Sequence, residues 1–497
     1  MFKKKGFFLS LLILLLLFVG CSNAKQSSTI EGVEDLSGKK IGVQLGTAED
    51  LGVSSLEGTI VDRYNSPYDV IQALLQDKVD CVIMNEFSAE AFTEKNDSLK
   101  ILDEEFGVET TAICVAKNND ELTDKLNKAI AEIKTDGTLD KIMKNYLDDD
   151  YEGSYHYNYD EDLDRSNGAL VVATNAEFEP YEYIEDDEYI GIDMDIIREI
   201  ADRLNMGVII DDMQFASIIN AVASGKADVG VAGMAITEER LKSVDFTDPL
   251  YEGARQVIIV HDGDNSVVSS LQDRLYDNFI KDDRYKSLLK GLGTTLLIAV
   301  VAEVINLVLG LLIAFVRYTS DKLHIMRLGN LLAMIYLTII RGTPSVIQLL
   351  IIYYVIFAST DINKIVVAIV AFGLNSAAYT AEIIRAGWNS VDNGQYEAGR
   401  SMGFNYFQTM RLFILPQAIK NVVPTLGNEL IVLVKETAIS GYIGIFDLTR
   451  AGDFIRSRTY EALLPLLTVA LVYLIIIIIL SLIVSRIERM LNKNEKQ

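Results

Sequence analysis

The rhythm of apolar and polar positions changes twice along this chain. A basic head, Lys3-Lys4-Lys5, precedes an apolar run over residues 7–19 and then Gly20-Cys21, the pattern of a secretory signal. After a polar stretch over 22–32, short apolar runs alternate with amphipathic ones. Residues 40–43 and 81–83 are expected as strands, and 70–76 and 122–134 as helices. Residues 148–167, rich in Asp, Tyr, Gly and Ser, read as a linker. A second alternating run follows, with strands over 170–174 and 227–231 and helices over 194–204 and 218–223. Alternation at this spacing predicts parallel α/β sheets. From Gly291 onward the apolar segments become continuous. Residues 292–316, 328–357, 365–384, an interrupted 422–445 and 463–484 are each long enough to cross a hydrocarbon core of about 30 Å, which predicts five spans.

Composition agrees with a soluble half joined to a membrane half: the 497 residues are 50% hydrophobic and also 23% charged. The net charge is −25, and most of the acid precedes Lys290, in runs such as Asp148-Asp149-Asp150. That argues against a nucleic-acid partner, which requires clustered Lys and Arg. With three His and no His/Cys cluster, no metal site is expected. Cys81 and Cys114 sit in apolar strand-like runs, as buried thiols or as a disulfide. Arg317, Lys322 and Arg327, then Arg400, Arg411 and Lys420, then Arg486, Arg489 and Lys493 fall on one side of the predicted spans, which marks that side as cytoplasmic and the N-terminal half as outside. Arg450, Arg456 and Arg458 fall on the outer side against this rule, among Asp447, Asp453 and Glu461.

Candidate chemistry is sparse. No Gly-x-x-x-x-Gly-Lys-Ser/Thr loop occurs; the nearest stretch, Ser37-Gly38-Lys39-Lys40, lacks the spacing and the hydroxyl. No nucleophile–base pair is recognisable, so neither an enzyme nor a cofactor is expected. Glu303, Asn306, Arg341, Asn375, Glu382, Lys435 and Glu436 lie within or beside spans, where polar groups usually face an interior or a pathway. Pro344 predicts a kink after Arg341.

Glu397-Ala398-Gly399-Arg400-Ser401-Met402-Gly403, closed by Ile414-Leu415-Pro416, is a charged, Gly-punctuated segment between apolar ones. Its polar backbone groups place it outside the hydrocarbon. It resembles the cytoplasmic coupling loop (the "EAA" loop, here about 394–416) of ABC importer permeases, with Gly399 where Ala is usual. Arg341-Gly342-Thr343-Pro344 and Ala378-Tyr379-Thr380-Ala381-Glu382-Ile383-Ile384-Arg385-Ala386-Gly387 are similar to the polar amino-acid branch of that family. The resemblance implies a permease over 291–497 that docks a separate ATPase through Glu397, Ala398, Gly399, Gly403 and Pro416, pairs with a second copy of itself, and sits among membrane lipid. Phe18-Val19-Gly20-Cys21 resembles a lipoprotein box with Phe18 where Leu is usual, which implies a signal segment over 1–21 cut before Cys21, with Cys21 as the lipidated first residue.

A second resemblance covers residues 33–262. Ala173-Thr174-Asn175, Phe178-Glu179-Pro180-Tyr181-Glu182, Gly191-Ile192-Asp193-Met194-Asp195, Ala232-Gly233-Met234-Ala235-Ile236-Thr237-Glu238-Glu239-Arg240 and Val244-Asp245-Phe246-Thr247-Asp248-Pro249 are similar to the first part of an extracellular amino-acid-binding protein of solute-binding family 3. Asp35-Leu36-Ser37-Gly38-Lys39-Lys40-Ile41-Gly42-Val43-Gln44-Leu45-Gly46-Thr47 and the ending over 133–142 resemble its second part. The second part comes first. This implies a circularly permuted two-lobed α/β domain, its usual ends joined through 148–167, followed by a tether over 263–290. One lobe would combine 112–150 with 167–249, the other 33–106 with 255–260. Surface chain ends make such a rearrangement structurally cheap, whereas two truncated domains would each leave an open sheet edge.

For the ligand, the resemblance implies a polar amino acid. Arg240 is the carboxylate clamp, through its planar fork. The backbone near Thr47 and Ala48 helps from the other lobe, and Phe178 and Phe215 sandwich the aliphatic part. Gly233 lets a carbonyl approach the ammonium, and Gln44 and Asn175 lie in motifs of the site. Asn85 and Ala235 depart from the family, which has an ammonium-binding Asp and a hydroxyl there. Either Glu86 or Asn175 makes up for the Asp, or the ligand is not a simple α-amino acid. The competing functions are a ligand-gated channel, for which no Thr-Val-Gly-Tyr-Gly filter is present, and a membrane sensor, which needs a signalling domain after the spans.

Overall fold

A computed structural model describes residues 30–491, apart from 159–162, 164, 186–187, 262–269, 359, 361 and 460. The signal run and Cys21 lie outside the described residues. Strands β1 (Lys40–Gln44), β2 (Ile60–Tyr64), β3 (Cys81–Asn85) and β4 (Leu99–Thr111) alternate with helices α1 (Ala48–Ser54), α2 (Pro67–Leu75) and α3 (Glu86–Glu94). Next come β5 (Cys114–Ala116), α4 (Asp120–Thr135), α5 (Thr138–Leu147), β6 (Ala169–Thr174), β7 (Glu177–Phe178), β8 (Glu182–Glu185) and β9 (Glu188–Ile190). Helix α6 (Ile192–Arg203), β10 (Gly207–Asp212), α7 (Phe215–Ala223), β11 (Val229–Gly230), β12 (Val244–Phe246) and β13 (Tyr251–His261) complete the α/β part.

Two five-stranded sheets result, ordered β2-β1-β3-β13-β4 and β10-β6-β11-β5-β12, with β7-β8-β9 as a small third. Each large sheet is the centre of a lobe. The sheets are mixed rather than parallel as expected: β13 runs antiparallel to β3 and β4, and β5 antiparallel to β11 and β12. The reason is that the chain crosses between lobes at β4→β5 and again at β12→β13, and the crossing strands meet in opposite directions, with Tyr251 opposite Thr111. Apolar side chains fill both lobes, Ile41, Ile83 and Ile258 in the first, Ile113, Ile130, Leu170 and Val229 in the second. Cys81 and Cys114 are buried free thiols in different lobes. Tyr155, Tyr157 and Arg165 lie against α6: Tyr155 donates to Glu199 at 2.6 Å, Tyr157 donates to Asp202 at 2.7 Å, and Arg165 pairs with Asp202 at 2.9 Å.

The remainder is helical: α8 (Leu271–Leu275), α9 (Tyr285–Leu323), α10 (Arg327–Gly342), α11 (Ser345–Ile351), α12 (Lys364–Asn389), α13 (Asn393–Ser401), α14 (Tyr406–Thr409), α15 (Leu415–Glu436), α16 (Leu448–Thr459) and α17 (Leu463–Leu491). Among the described residues, α9, α12 and α17 are long and apolar enough to cross a membrane. A fourth crossing is present if α10 and the helix running from α11 to Ile356 count as one, bent by 111°. The bend falls at Thr343-Pro344, where the ring removes a helical donor. Five spans were expected from sequence. The apolar stretch over 422–445 divides at Thr437 into α15 and a 3₁₀ turn, and Lys420, Asn421, Asn428 and Glu429 make α15 too polar to qualify by composition. Helix α12 is the buried centre, packed on α9 and α15, while α17 leaves Leu471, Ile475, Ile479 and Leu482 exposed as a lipid-facing surface would.

Both lobes sit on the helical part. Arg450 of α16 pairs with Glu177 at 2.5 Å and Asp212 at 3.0 Å in the second lobe. Arg456, six residues further along, pairs with Asp69 of the first lobe and with Asp453. Lys364 at the start of α12 pairs with Asp211, and Lys226 reaches the carbonyls of Phe357 and Thr360. Arg458 lies 5.6 Å over the Tyr183 ring. The three arginines that broke the charge-asymmetry rule are thus partners of the acidic domain.

Candidate functional site

Between the lobes lies a small cavity of about 20 Å³, lined by Gln44, Thr47, Ala48, Glu49, Glu109, Phe178, Phe215, Ala232, Gly233, Ala235 and Arg240. That volume holds about one water molecule, and the walls touch. Arg240 belongs to the second lobe and is 7% exposed. Its Nη1 donates to the Ala235 carbonyl at 2.5 Å, its Nη2 donates across the cleft to the Gly46 carbonyl at 2.8 Å, and its guanidinium lies 5.3 Å over the Phe215 ring. Gln44 Nε2 bridges the lobes to Asn175 Oδ1 at 3.3 Å, and Tyr181 donates to Asn85 Oδ1 at 3.1 Å. At the rim, Ser88 donates to the Glu179 carbonyl at 2.8 Å, and Lys95 pairs with Glu179 at 2.5 Å.

Each group is positioned by a local device. β1 ends at Gln44 and the chain turns into α1, capped by Thr47, whose hydroxyl accepts from the Asp50 amide at 3.3 Å. Phe178 stacks on Tyr181, ring centres 5.3 Å apart. The Gly233 amide donates to Asp193 Oδ2 at 2.6 Å; burial raises that carboxyl to about 6. Asn175 is tied to the Met213 carbonyl at 3.0 Å.

Eight of the ten ligand candidates line the cavity: Gln44, Thr47, Ala48, Phe178, Phe215, Gly233, Ala235 and Arg240. Asn85 and Asn175 stand behind the wall and hold other residues. Asn85 caps α3 through the Phe87 amide and donates from Nδ2 to Glu109 Oε1 at 2.6 Å. Glu86, a candidate to replace the missing Asp, pairs instead with Arg255 at 2.9 Å and is not on the cavity.

Two cavity carboxylates went unread in the sequence, Glu49 and Glu109. Glu109 takes a second hydrogen bond from Gln256 Nε2 at 3.3 Å. Burial pushes both carboxyls up, Glu49 to about 8, where the nearby Glu109 adds to the effect. Burial also lowers Arg240, partly offset by the two acids, and a guanidinium remains charged in that setting.

A second cluster closes the other end of the molecule. Helix α13 carries Glu397, Ala398 and Gly399, and Gly403 follows at φ +86 before Asn405 opens α14 with a reciprocal cap to Gln408. A side chain at Gly399 would meet Thr409 Cγ2 at 2.7 Å, so Gly lets the two arms of this elbow touch. Pro416 lies in the first turn of α15, and Met402, Phe407 and Leu412 are exposed around the elbow. Beside it, Arg317 pairs with Glu382, and Arg317, Arg341, Tyr379 and Glu382 border a cavity of about 550 Å³.

The profile of the bacterial extracellular solute-binding proteins, family 3, matches residues 34–149 and 170–437. The arginine transport system permease protein ArtQ of Bacillus subtilis is 40% identical over 210 residues, 42% of this chain and 94% of that protein. The glutamine transport system permease protein GlnP of Escherichia coli is 37% identical over 205 residues, 41% of this chain and 91% of that protein. A solved amino acid ABC transporter with histidines is 38% identical, with a TM-score of 0.40, over 45% of this chain and 99% of that one. The chain therefore belongs to the bacterial extracellular solute-binding proteins, family 3, and carries in the same polypeptide a permease homologous to those of amino-acid transport systems.

Proposed function

We propose that this chain is the binding and membrane-spanning subunit of an ABC importer for polar amino acids, of the glutamine, glutamate, histidine or arginine kind, driven by a separate ATPase. The observation that carries the reading is the seating of a two-lobed cleft on the outer ends of the permease helices by Arg450, Arg456 and Lys364. Named relatives of the permease part serve arginine and glutamine transport.

In this reading Arg240 releases the Ala235 and Gly46 carbonyls and takes the ligand carboxylate, while Phe178 and Phe215 cover the stem. The lobes close, α16 registers the closure, and the elbow at Glu397, Ala398, Gly399, Gly403 and Pro416 passes force to and from a cytoplasmic ATPase. Two copies of the chain, each with five spans including α15, enclose one path and offer two elbows to two ATPases. Cys21 becomes the lipidated first residue. The binding domain is a circular permutant, a reading supported by β13 completing the sheet of β1 to β4 and by β5 completing that of β6, β10, β11 and β12. The tether after β13 keeps domain and permease at high effective concentration.

The test is uptake of radiolabelled amino acids by proteoliposomes holding the chain and its ATPase. Uptake that requires internal ATP and is lost in Glu397→Lys, together with loss of ATPase pull-down, supports an importer. ATP-independent ion current gated by amino acid supports the channel instead.

A further inference from the structure

Three ionisable side chains line the cleft, two acids against one base. Glu49, Glu109 and Arg240 are 6%, 8% and 7% exposed. None of the three forms an ion pair among the described residues. Arg240 donates to two backbone carbonyls, and Glu109 is held by two neutral amides, Asn85 at 2.6 Å and Gln256 at 3.3 Å. A carboxylate accepts about four hydrogen bonds, so Glu109 keeps lone pairs for a further donor while its position is set.

We infer that the cleft selects an amino acid with a positively charged side chain, Glu109 taking the α-ammonium and Glu49 the side-chain cation. The inference rests on the amino-acid import reading above and narrows its ligand. A buried charge is tolerated only when paired. A ligand carboxylate on Arg240 satisfies the one base and leaves two acids. An amino acid with a neutral side chain brings one ammonium and leaves Glu49 without a cation to ionise against. An acidic one adds a third negative group. A diamino or guanidino acid brings two cations and one carboxylate against two carboxylates and one cation, and the count closes.

Position divides the two acids. Glu109 lies beside Asn85, on the strand that crosses between lobes, and stands in for the carboxylate that Asn85 lacks. Glu49 lies in the first turn of α1, on the wall contributed by the first lobe. The stem between the two cations would run past Phe178 and Phe215, whose faces also attract a cation.

The experiment is equilibrium binding to the full-length chain in lipid nanodiscs at neutral pH, by calorimetry, with L-lysine, L-ornithine, L-arginine, L-glutamine and L-glutamate. The best basic amino acid is expected to bind about tenfold or more tighter than glutamine, the scale of one hydrogen bond to a charged group, and glutamate to give no measurable heat. Glu49→Gln is expected to erase that preference while glutamine binding survives, and Glu49→Asp to keep it. Tightest binding of glutamine or glutamate, or an unchanged preference in a folded Glu49→Gln protein, overturns the inference and leaves the import reading standing. Failure of every α-amino acid to bind overturns both. If Glu49→Gln does not fold, the rank order of ligands on the unmodified chain decides.

Discussion

Arg240 does two jobs with one side chain. With its fork on the Ala235 and Gly46 carbonyls it holds the lobes together, and the same N–H groups are those a ligand carboxylate would take. Arg240→Ala is therefore expected to weaken amino-acid binding about a hundredfold, roughly 3 kcal/mol for two charge-assisted bonds, read by calorimetry. Arg240→Lys keeps the charge, loses the fork and recovers only part of the loss. Glu49 makes a second prediction. Its carboxyl, raised from 4.5 to about 8 by burial and by Glu109, stays neutral in the fold over a range where the unfolded chain ionises. Its contribution to stability is then full below 4.5 and is lost as pH rises to about 8, at up to about 1.4 kcal/mol per pH unit. Thermal unfolding midpoints should fall across that window, and Glu49→Gln should flatten part of the slope. That Arg240 and Phe178 line the cavity was legible because each stands in a recognisable motif, whereas Phe215 stands in none and came from the family resemblance alone. Glu109 was not legible: it is one of several acids in Asp103-Glu104-Glu105-Phe106-Gly107-Val108-Glu109, and only the pairing of β4 with the distant β13 turns it inward. Glu49 was hidden in the same way, since the first turn of a helix is an ordinary place for an acid.

At the scale of elements, strands and helices of the α/β part followed their apolar periodicity closely, while strand direction did not. Periodicity reports which face is buried and says nothing about which neighbour a strand meets. The five-span expectation shows the same limit: apolar length over 422–445 was visible, but the break at Thr437, where the turn packs against α11 and α16, was not. Pro344 was readable, because a missing donor acts locally. The elbow of α13 and α14 was legible as a Gly-punctuated helix and turn, whereas Gly399 was read only as a departure from the usual Ala and its close approach to Thr409 was not. Gly399→Leu is expected to force α13 away from Thr409 and lower stability by about 1–3 kcal/mol, the usual penalty of overpacking. Co-purification of an ATPase subunit should fall with it, since Met402 and Phe407 would shift together with the elbow.

For the molecule as a whole, α16 is the joint between capture and passage. Its Arg450 and Arg456 are committed to different lobes, so the helix has both ion pairs only when the lobes stand at one separation. Arg450→Ala leaves the half-buried Glu177 and Asp212 without their cation and is expected to leave amino-acid affinity within a few-fold while reducing ATP-driven uptake by about tenfold or more, since removing one partner of a largely desolvated pair is strongly unfavourable. Equal losses of binding and uptake would place Arg450 in folding rather than coupling. The return of β13 to the first sheet has one more consequence. The polypeptide leaves the upper part of the molecule from the first lobe, so that jaw is leashed to the membrane by covalent bonds, whereas its opposite number is moored by side-chain contacts, the strongest of them between charges. When the bite opens, the second jaw swings away, and high salt, which loosens moorings but not leashes, should prop it ajar.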